Sequence, residues 1–106
     1  MNKQSCLEKN TCYIRLLNTL NPSSRKTLIR KASKAEIDTI SEIANNILLG
    51  NISQNPLTIR KFKKFKSLLR NIADKKNSRR KKIRMIVTPR GGTLLGLILK
   101  TIANFL

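Results

Sequence analysis

The sequence predicts an all-α protein: a small bundle of about four helices with a basic linker and an apolar C-terminal helix. Apolar residues recur every three or four positions through the first three quarters of the chain, the period of an amphipathic helix. Helix start signals precede these repeats, and the 4% aromatic content predicts an Ile/Leu core. The predicted segments are a tail (1–10), a bundle (11–75), a linker with a Gly-Gly hinge (76–92) and an apolar or amphipathic helix (93–106).

The first two predicted helices are short. Asn10 or Thr11 caps the first, whose repeat is Tyr13, Ile14, Leu17 and Leu20. Asn21-Pro22 ends that helix and opens the second, because proline is tolerated in a first turn. The second helix has the narrow apolar stripe Leu28, Ile29 and Ala32, and its outward cations are Arg25, Lys26, Arg30 and Lys31.

The third helix has the clearest signals. Ser33 and Glu36 have the spacing of a capping box. Gly50 is placed as a left-handed C-terminal cap. One face carries Ile37, Ile40, Ile43, Ala44, Ile47 and Leu48, and the acids Glu36, Asp38 and Glu42 lie in the first turns, where they complement the helix dipole.

Asn55-Pro56 opens the fourth and longest predicted helix, which runs to about Lys75. We expect its buried stripe to be Ile59, Phe62, Phe65, Leu69, Ile72 and Ala73. The segment from Lys75 to Lys82 has no apolar side chain, so it is predicted to be a mobile, solvated linker that can become helical on a polyanion. The apolar patch at residues 83–87 fits either a strand or a helix.

The positive charge is concentrated between Leu57 and Gly92. This stretch holds fourteen Lys or Arg and one Asp, which is +13 of the formal +18. Such a charge predicts a polyanionic partner, either nucleic acid or an anionic membrane surface. The near absence of interleaved acids favours phosphate contacts over a merely solvated face. The predicted nucleic-acid-binding residues are Arg60, Lys61, Lys63, Lys64, Lys66, Arg70, Lys75, Lys76, Arg79, Arg80, Lys81, Lys82, Arg84 and Arg90.

The sequence gives no indication of a catalytic, cofactor or metal site. The chain has no His and no Gly-rich phosphate loop, so we expect neither an enzyme nor a cofactor. Cys6 and Cys12 are too few for a structural zinc site, so no metal is expected and the two thiols receive no role. The first ten residues lack an apolar run of signal-peptide length, which favours a non-secreted protein.

The C-terminal segment from Thr93 leaves two alternatives open. Its 14 residues are short of the roughly 20 that span a bilayer as a helix. It can pack on the bundle as a further helix, or it can act as an amphipathic segment drawn to anionic lipid or to a protein partner. The side chains available for membrane or partner contact are Leu94, Leu95, Ile98, Ile102 and Phe105.

The order of these segments resembles the small basic core proteins of Polinton/Maverick elements and adintoviruses. The resemblance covers most of residues 16–106, and no single motif in it is specific alone. The stretches that carry the resemblance are, in chain order, Leu-Asn-Pro before RKTLIRKA, the sequence NILLGNI, a Lys/Arg helix ending in LLRNIADKK, and PRGGTLLGLIL.

The resemblance implies a virion component similar in role to adenoviral minor core and membrane-active proteins. It implies other virion proteins as partners and a location in the virion and host nucleus. It also implies processing after the Gly91-Gly92 pair, which would release Thr93 to Leu106. Pro89 departs from the adenoviral cleavage pattern, which has Met, Ile or Leu at that position.

The functional prediction is a non-enzymatic, largely sequence-independent nucleic-acid-binding protein that neutralises and helps package DNA, as a viral core component. DNA is favoured over RNA. The alternative is a membrane-active protein that acts through its C-terminal apolar helix.

Overall fold

The chain folds into helices joined by short turns. The computed structural model describes residues 10–52 and 55–103. Those residues contain no strand, which confirms the all-α class, and they contain more helices than the sequence predicted. The helices are α1 (Thr11–Thr19), α2 (Pro22–Arg30), α3 (Lys34–Leu48), α4 (Pro56–Lys63), α5 (Lys66–Ala73), α6 (Arg79–Ile86) and α7 (Pro89–Ile102).

Helix ends follow the predicted local chemistry. The side chains of Asn21 and Asn55 each accept a 2.8 Å hydrogen bond from the amide three residues on, next to a proline in the first turn. Ser33 and Glu36 form the predicted capping box at 3.2 and 2.9 Å. Gly50 has the positive φ of +74° that a left-handed cap requires. The predicted boundaries of α3 are therefore explained by its own side chains.

The core is aliphatic and draws on both halves of the chain. Helices α3 and α5 pack together, and α7 packs against α1, α2, α4 and α6. Burying these Ile and Leu side chains is the main term that stabilises the bundle. The largest fully buried side chains are Ile14, Leu17, Ile29, Ile37, Ile40, Ile43, Leu69, Ile72, Ile86, Leu94, Ile98 and Leu99.

The predicted mobile linker is wrong from Arg79 onward, because residues 79–86 form α6, and the helix alternative for residues 83–87 is the one found for 83–86. Ser78 caps this helix by accepting a 3.2 Å hydrogen bond from the Lys81 amide. Helix α6 packs against α2, α3, α5 and α7, with Ile86 fully buried. The apolar residues at 83–87 therefore complete the buried face of a helix whose first turn is entirely cationic.

The predicted fourth helix is interrupted at Lys64-Phe65, where a tight turn separates α4 from α5. The amides of Lys64 and Phe65 donate to the carbonyl oxygens three residues earlier, at 3.2 and 2.9 Å. Within α4, Phe62 is buried, whereas Ile59, which we expected in the core, is 44% exposed.

Helix α7 begins four residues before the predicted start at Thr93. Thr88 caps it by accepting a 3.0 Å hydrogen bond from the Gly91 amide, and Pro89 occupies its first turn. Gly91 and Gly92 therefore lie inside a helix. The predicted Gly-Gly hinge is wrong, since only Val87 and Thr88 connect α6 to α7.

Candidate nucleic-acid interface

Thirteen of the fourteen predicted cations are exposed to solvent, and one, Lys82, is buried. Within the described parts of the chain, none of the fourteen forms an ion pair with a carboxylate. The recorded ion pair lies outside the set, between Lys34 and Asp38 at 2.8 Å. Most of this positive charge is therefore available to a partner.

The α4–α5 turn gathers four cations around one shallow depression. Lys63, Lys64, Lys66 and Arg70 line it, together with Ser67 and Asn71. Positions 66, 67, 70 and 71 follow the three- and four-residue spacing of one face of α5, so they point to the same side. Lys63 and Lys64 reach the same depression from the end of α4 and from the turn. No acid of residues 10–52 or 55–103 lines the depression. The arrangement combines charge with a hydroxyl and an amide that can donate hydrogen bonds to phosphate oxygens.

Sequence reasoning missed Ser67 and Asn71. Ser67 lies three residues before Arg70 and four before Asn71, and this spacing along a basic helical face is the signal that could have found them. Neither residue carries charge, and the search for cations therefore passed over them.

Arg90 holds the depression in shape. Its guanidinium donates a hydrogen bond to the Lys64 carbonyl oxygen and lies 5.0 Å from the centre of the Phe65 ring. These contacts join the start of α7 to the α4–α5 turn. Arg90 therefore positions its cationic neighbours, although its side chain is itself exposed.

Arg79 also has an internal partner. Its guanidinium donates a 2.8 Å hydrogen bond to the Ala32 carbonyl oxygen, just beyond the end of α2. This bond fixes the start of α6 against the α2–α3 connection. The segment predicted to be a mobile linker is thus anchored to the bundle at Arg79.

A second groove, between α3 and the α5–α6 connection, carries both signs of charge. Its volume is about 730 Å³. Lys75, Lys76 and Arg79 line one side, and Asp38 and Glu42 line the other. The two carboxylates oppose a polyanion, so this groove is a weaker phosphate site than the depression at the α4–α5 turn.

Lys82 lies at the inner wall of that groove and does not belong to the exposed set. It is 4% exposed, and its ammonium donates a 2.8 Å hydrogen bond to the Ser41 hydroxyl. Burial lowers the pKa of Lys82 below its ordinary value, and the nearby Asp38 and Asp74 carboxylates partly offset this effect. Among the predicted nucleic-acid contacts, Lys82 is therefore the one whose side chain is buried and whose ammonium is already hydrogen-bonded within the protein. Its contact with nucleic acid stays a prediction.

The apolar residues of α7 are buried in the bundle. Leu94, Leu95, Ile98 and Ile102 are at most 4% exposed, while Phe105 lies outside the described residues. This burial corresponds to the first alternative for the C-terminal segment, in which it packs on the bundle as a further helix. Contact of these four side chains with a membrane or partner would require α7 to leave the bundle. No helix in the described residues is long and apolar enough to cross a membrane.

Gly91 has a packing role. A β-carbon at this position would lie 1.9 Å from the Met85 carbonyl oxygen, so α6 and α7 can approach only because the residue is glycine. Cleavage after Gly92 stays a prediction. It would require the first turns of α7 to open, since helical backbone must unfold locally before cleavage.

Cys12 is exposed, and Cys6 lies outside the described residues. The described residues contain no group of three or more His, Cys, Asp or Glu side chains that could hold a metal ion.

Comparison with family models, curated proteins and solved structures found no match to this chain.

Proposed function

We propose that this protein is a non-enzymatic, largely sequence-independent nucleic-acid-binding protein that neutralises DNA and helps package it. The observation that supports the proposal is the depression lined by Lys63, Lys64, Lys66 and Arg70, with no acid from the described part of the chain. These side chains are exposed, and they lie next to the hydroxyl and amide donors of Ser67 and Asn71. A backbone phosphate fits both the charge and the donors.

The driving force is electrostatic. Each Lys or Arg that meets a phosphate releases condensed counterions, so affinity falls steeply as salt rises. Eleven of the fourteen cations are exposed, and their side chains form no hydrogen bond or ion pair within the described structure. The other three are Lys82, which is buried, and Arg79 and Arg90, which donate to carbonyl oxygens. If about eight of the eleven engage together, the log-log salt slope is about −7.

The side chains near the depression favour backbone contacts over base recognition. Phe62 is buried, and the half-buried Phe65 ring is covered by Arg90, so neither ring is free to stack on a base. Phosphate contacts position a nucleic acid and carry no sequence information directly. Binding that depends little on sequence suits neutralisation and packaging.

Helices α4, α5 and α6 hold their cations at fixed spacings. A folded cationic surface pays less ordering entropy on binding than a disordered arm would. The virion-core setting, with other virion proteins as partners, is part of the proposal and rests on the sequence resemblance alone.

The experiment compares two triple variants with equal loss of charge. Lys63→Gln, Lys64→Gln and Arg70→Gln together remove three cations of the depression. The control combines Arg30→Gln, Lys31→Gln and Lys100→Gln, which are exposed cations outside it. We expect the first variant to flatten the salt slope for a short DNA duplex by about 2.7, at about 0.9 per lost phosphate contact. The control variant should change it much less. Equal effects from the two variants would overturn the assignment to this depression.

A further inference from the structure

An open apolar groove lies beside the basic depression, between the end of α3 and helices α4 and α5. Its volume is about 480 Å³, within the usual range for binding clefts. The apolar lining comes from Ile47, Leu48, Ile52, Ile59, Phe62 and Leu69. Lys63 and Lys66 also line it, and no acid among the described residues does.

Exposed apolar side chains of the described structure occur in this groove and close to its lining residues in the chain. Four large hydrophobic side chains are exposed: Leu16, Leu49, Leu57 and Ile59. Ile59 lines the groove at 44% exposure, and Leu49 and Leu57 lie within two residues of groove-lining residues in the chain. Single exposed apolar residues are ordinary, whereas a group around a concave surface marks an interaction site.

The charge around the groove indicates the charge of the partner it would bind. Two lysines and no acids favour a ligand that places carboxylates beside its apolar side chains. A second copy of this chain fits poorly, because each copy carries a formal charge of +18. A nucleic acid would leave the six apolar side chains without an apolar partner.

The secondary structure around the groove indicates which backbone conformation a bound peptide would adopt. Within residues 10–52 and 55–103 there is no strand, so no sheet edge is present to which a peptide could add as a further strand. A concave apolar surface between helices is the setting in which an amphipathic helix binds through residues three and four apart.

We propose that this groove docks an amphipathic helix of a protein partner, with Leu or Ile on its buried face and Asp or Glu at its edges. The carboxylates pair with Lys63 and Lys66. These two lysines also line the basic depression, so the docked helix competes with DNA for them. The docking site stands independently of DNA binding, and only the competition rests on the proposed function.

The probe is a fluorescent synthetic peptide of about 15 residues, near the length at which an isolated helix becomes marginally stable. It carries Leu and Ile at helical spacing and Glu at the flanking positions. Its control has the same composition in an order that abolishes the apolar face. Binding to the full chain is measured by fluorescence anisotropy. We expect the amphipathic peptide to bind at least about tenfold more tightly than its control, the effect of one well-buried apolar anchor. Equal affinities would overturn the proposal, because net charge alone would then explain binding.

Two matched variants locate the site. Ile59→Glu places a carboxylate in the groove, and Leu16→Glu makes the same change at an apolar residue of similar exposure on α1. Circular dichroism verifies that both variants keep the helical fold. Ile59→Glu should weaken peptide binding at least about tenfold, and Leu16→Glu should leave it unchanged. An unchanged affinity for Ile59→Glu would overturn the proposal.

Two further measurements complete the test. The first is sedimentation of the protein without peptide. A dimer that Ile59→Glu disrupts and Leu16→Glu leaves intact would show that the groove binds a second copy of this chain, and it would overturn the acidic partner. Peptide added to the DNA complex should lower DNA affinity, and unaltered DNA affinity would overturn the competition. Peptide binding by a protein that does not bind DNA would support the docking site and overturn only the proposed function.

Discussion

The contact between Gly91 and the end of α6 gives a sharp test of the fold. A β-carbon at position 91 would lie 1.9 Å from the Met85 carbonyl oxygen and 2.8 Å from the Ile86 Cα. Real β-carbons essentially never approach other atoms closer than 3.0 Å, so the overlap with the carbonyl exceeds 1 Å. Both neighbouring atoms belong to the main chain. Relief of the clash would therefore require α6 and α7 to move apart.

The expected cost of Gly91→Ala combines two opposing effects. Replacing glycine by alanine inside a helix stabilises by about 1 kcal/mol. Overpacking a closely packed site typically costs about 1–3 kcal/mol, and a main-chain clash lies at or above the upper end of that range. We therefore expect the free energy of unfolding to fall by about 2 kcal/mol. For a domain of this size, Tm should fall by about 8–16 °C.

Thermal unfolding followed by circular dichroism measures this change. The neighbouring residue provides the matched control, because a β-carbon on Gly92 would meet nothing closer than the Lys26 Cε at 3.8 Å. Gly92→Ala should gain helix propensity and raise Tm by up to about 8 °C. A Gly91→Ala protein as stable as the wild type would refute the close approach of α6 and α7. It would also remove the packing explanation for the first glycine of the Gly-Gly pair.

Two buried polar groups give further predictions. The folded state lowers the pKa of Lys82 below its ordinary value of 10.5. At pH values between the lowered pKa and 10.5 the unfolded chain binds more protons than the folded one, so the free energy of unfolding rises with pH. Denaturant unfolding at several pH values should show this rise in the wild type and not in Lys82→Met. The Tyr13 hydroxyl is buried without a hydrogen-bond partner among the described residues, so Tyr13→Phe should raise the free energy of unfolding by up to about 1 kcal/mol. Burial, with a smaller contribution from Glu36, raises the pKa of Tyr13. The wild type should therefore lose stability relative to Tyr13→Phe above about pH 10, where the unfolded phenol ionises first. A difference between the two proteins that does not vary with pH would contradict the burial of this hydroxyl.

Local chemistry made the boundaries of α3 predictable. The Ser33-Glu36 capping box and the left-handed Gly50 act within one turn of the helix ends, so no tertiary contact was needed to predict them. The two Asn-Pro starts are predictable for the same reason. These signals determine where helices begin and end, and they contain no information about which helices touch.

Helix α6 shows where local reasoning fails. Its first turn has four consecutive Lys or Arg residues, a composition typical of a solvated segment. Tertiary packing provides what the local sequence lacks: Ile86 enters the core, Lys82 bonds to Ser41, and Arg79 bonds to the Ala32 carbonyl. Ser78 was a usable N-cap signal. It was overlooked because the apolar residues that follow are too few to define a period.

The candidate interface was predictable in composition but not in shape. The exposed cations of α4 and α5 follow from their positions between apolar residues. The turn at Lys64-Phe65, which arranges four of them around one depression, depends on Arg90 from a distant part of the chain. The groove beside it was missed because Ile59 belongs to the predicted buried stripe, whereas in the structure it is 44% exposed and lines the groove.

The salt dependence of DNA binding tests the central claim most directly. The affinity of the full chain for a short duplex is measured from low to physiological salt. If about eight exposed cations contact phosphates, log Kd should rise with log salt concentration with a slope of about 7. A flat dependence would contradict the proposal that the exposed cations of α4, α5 and α6 bind a nucleic-acid backbone.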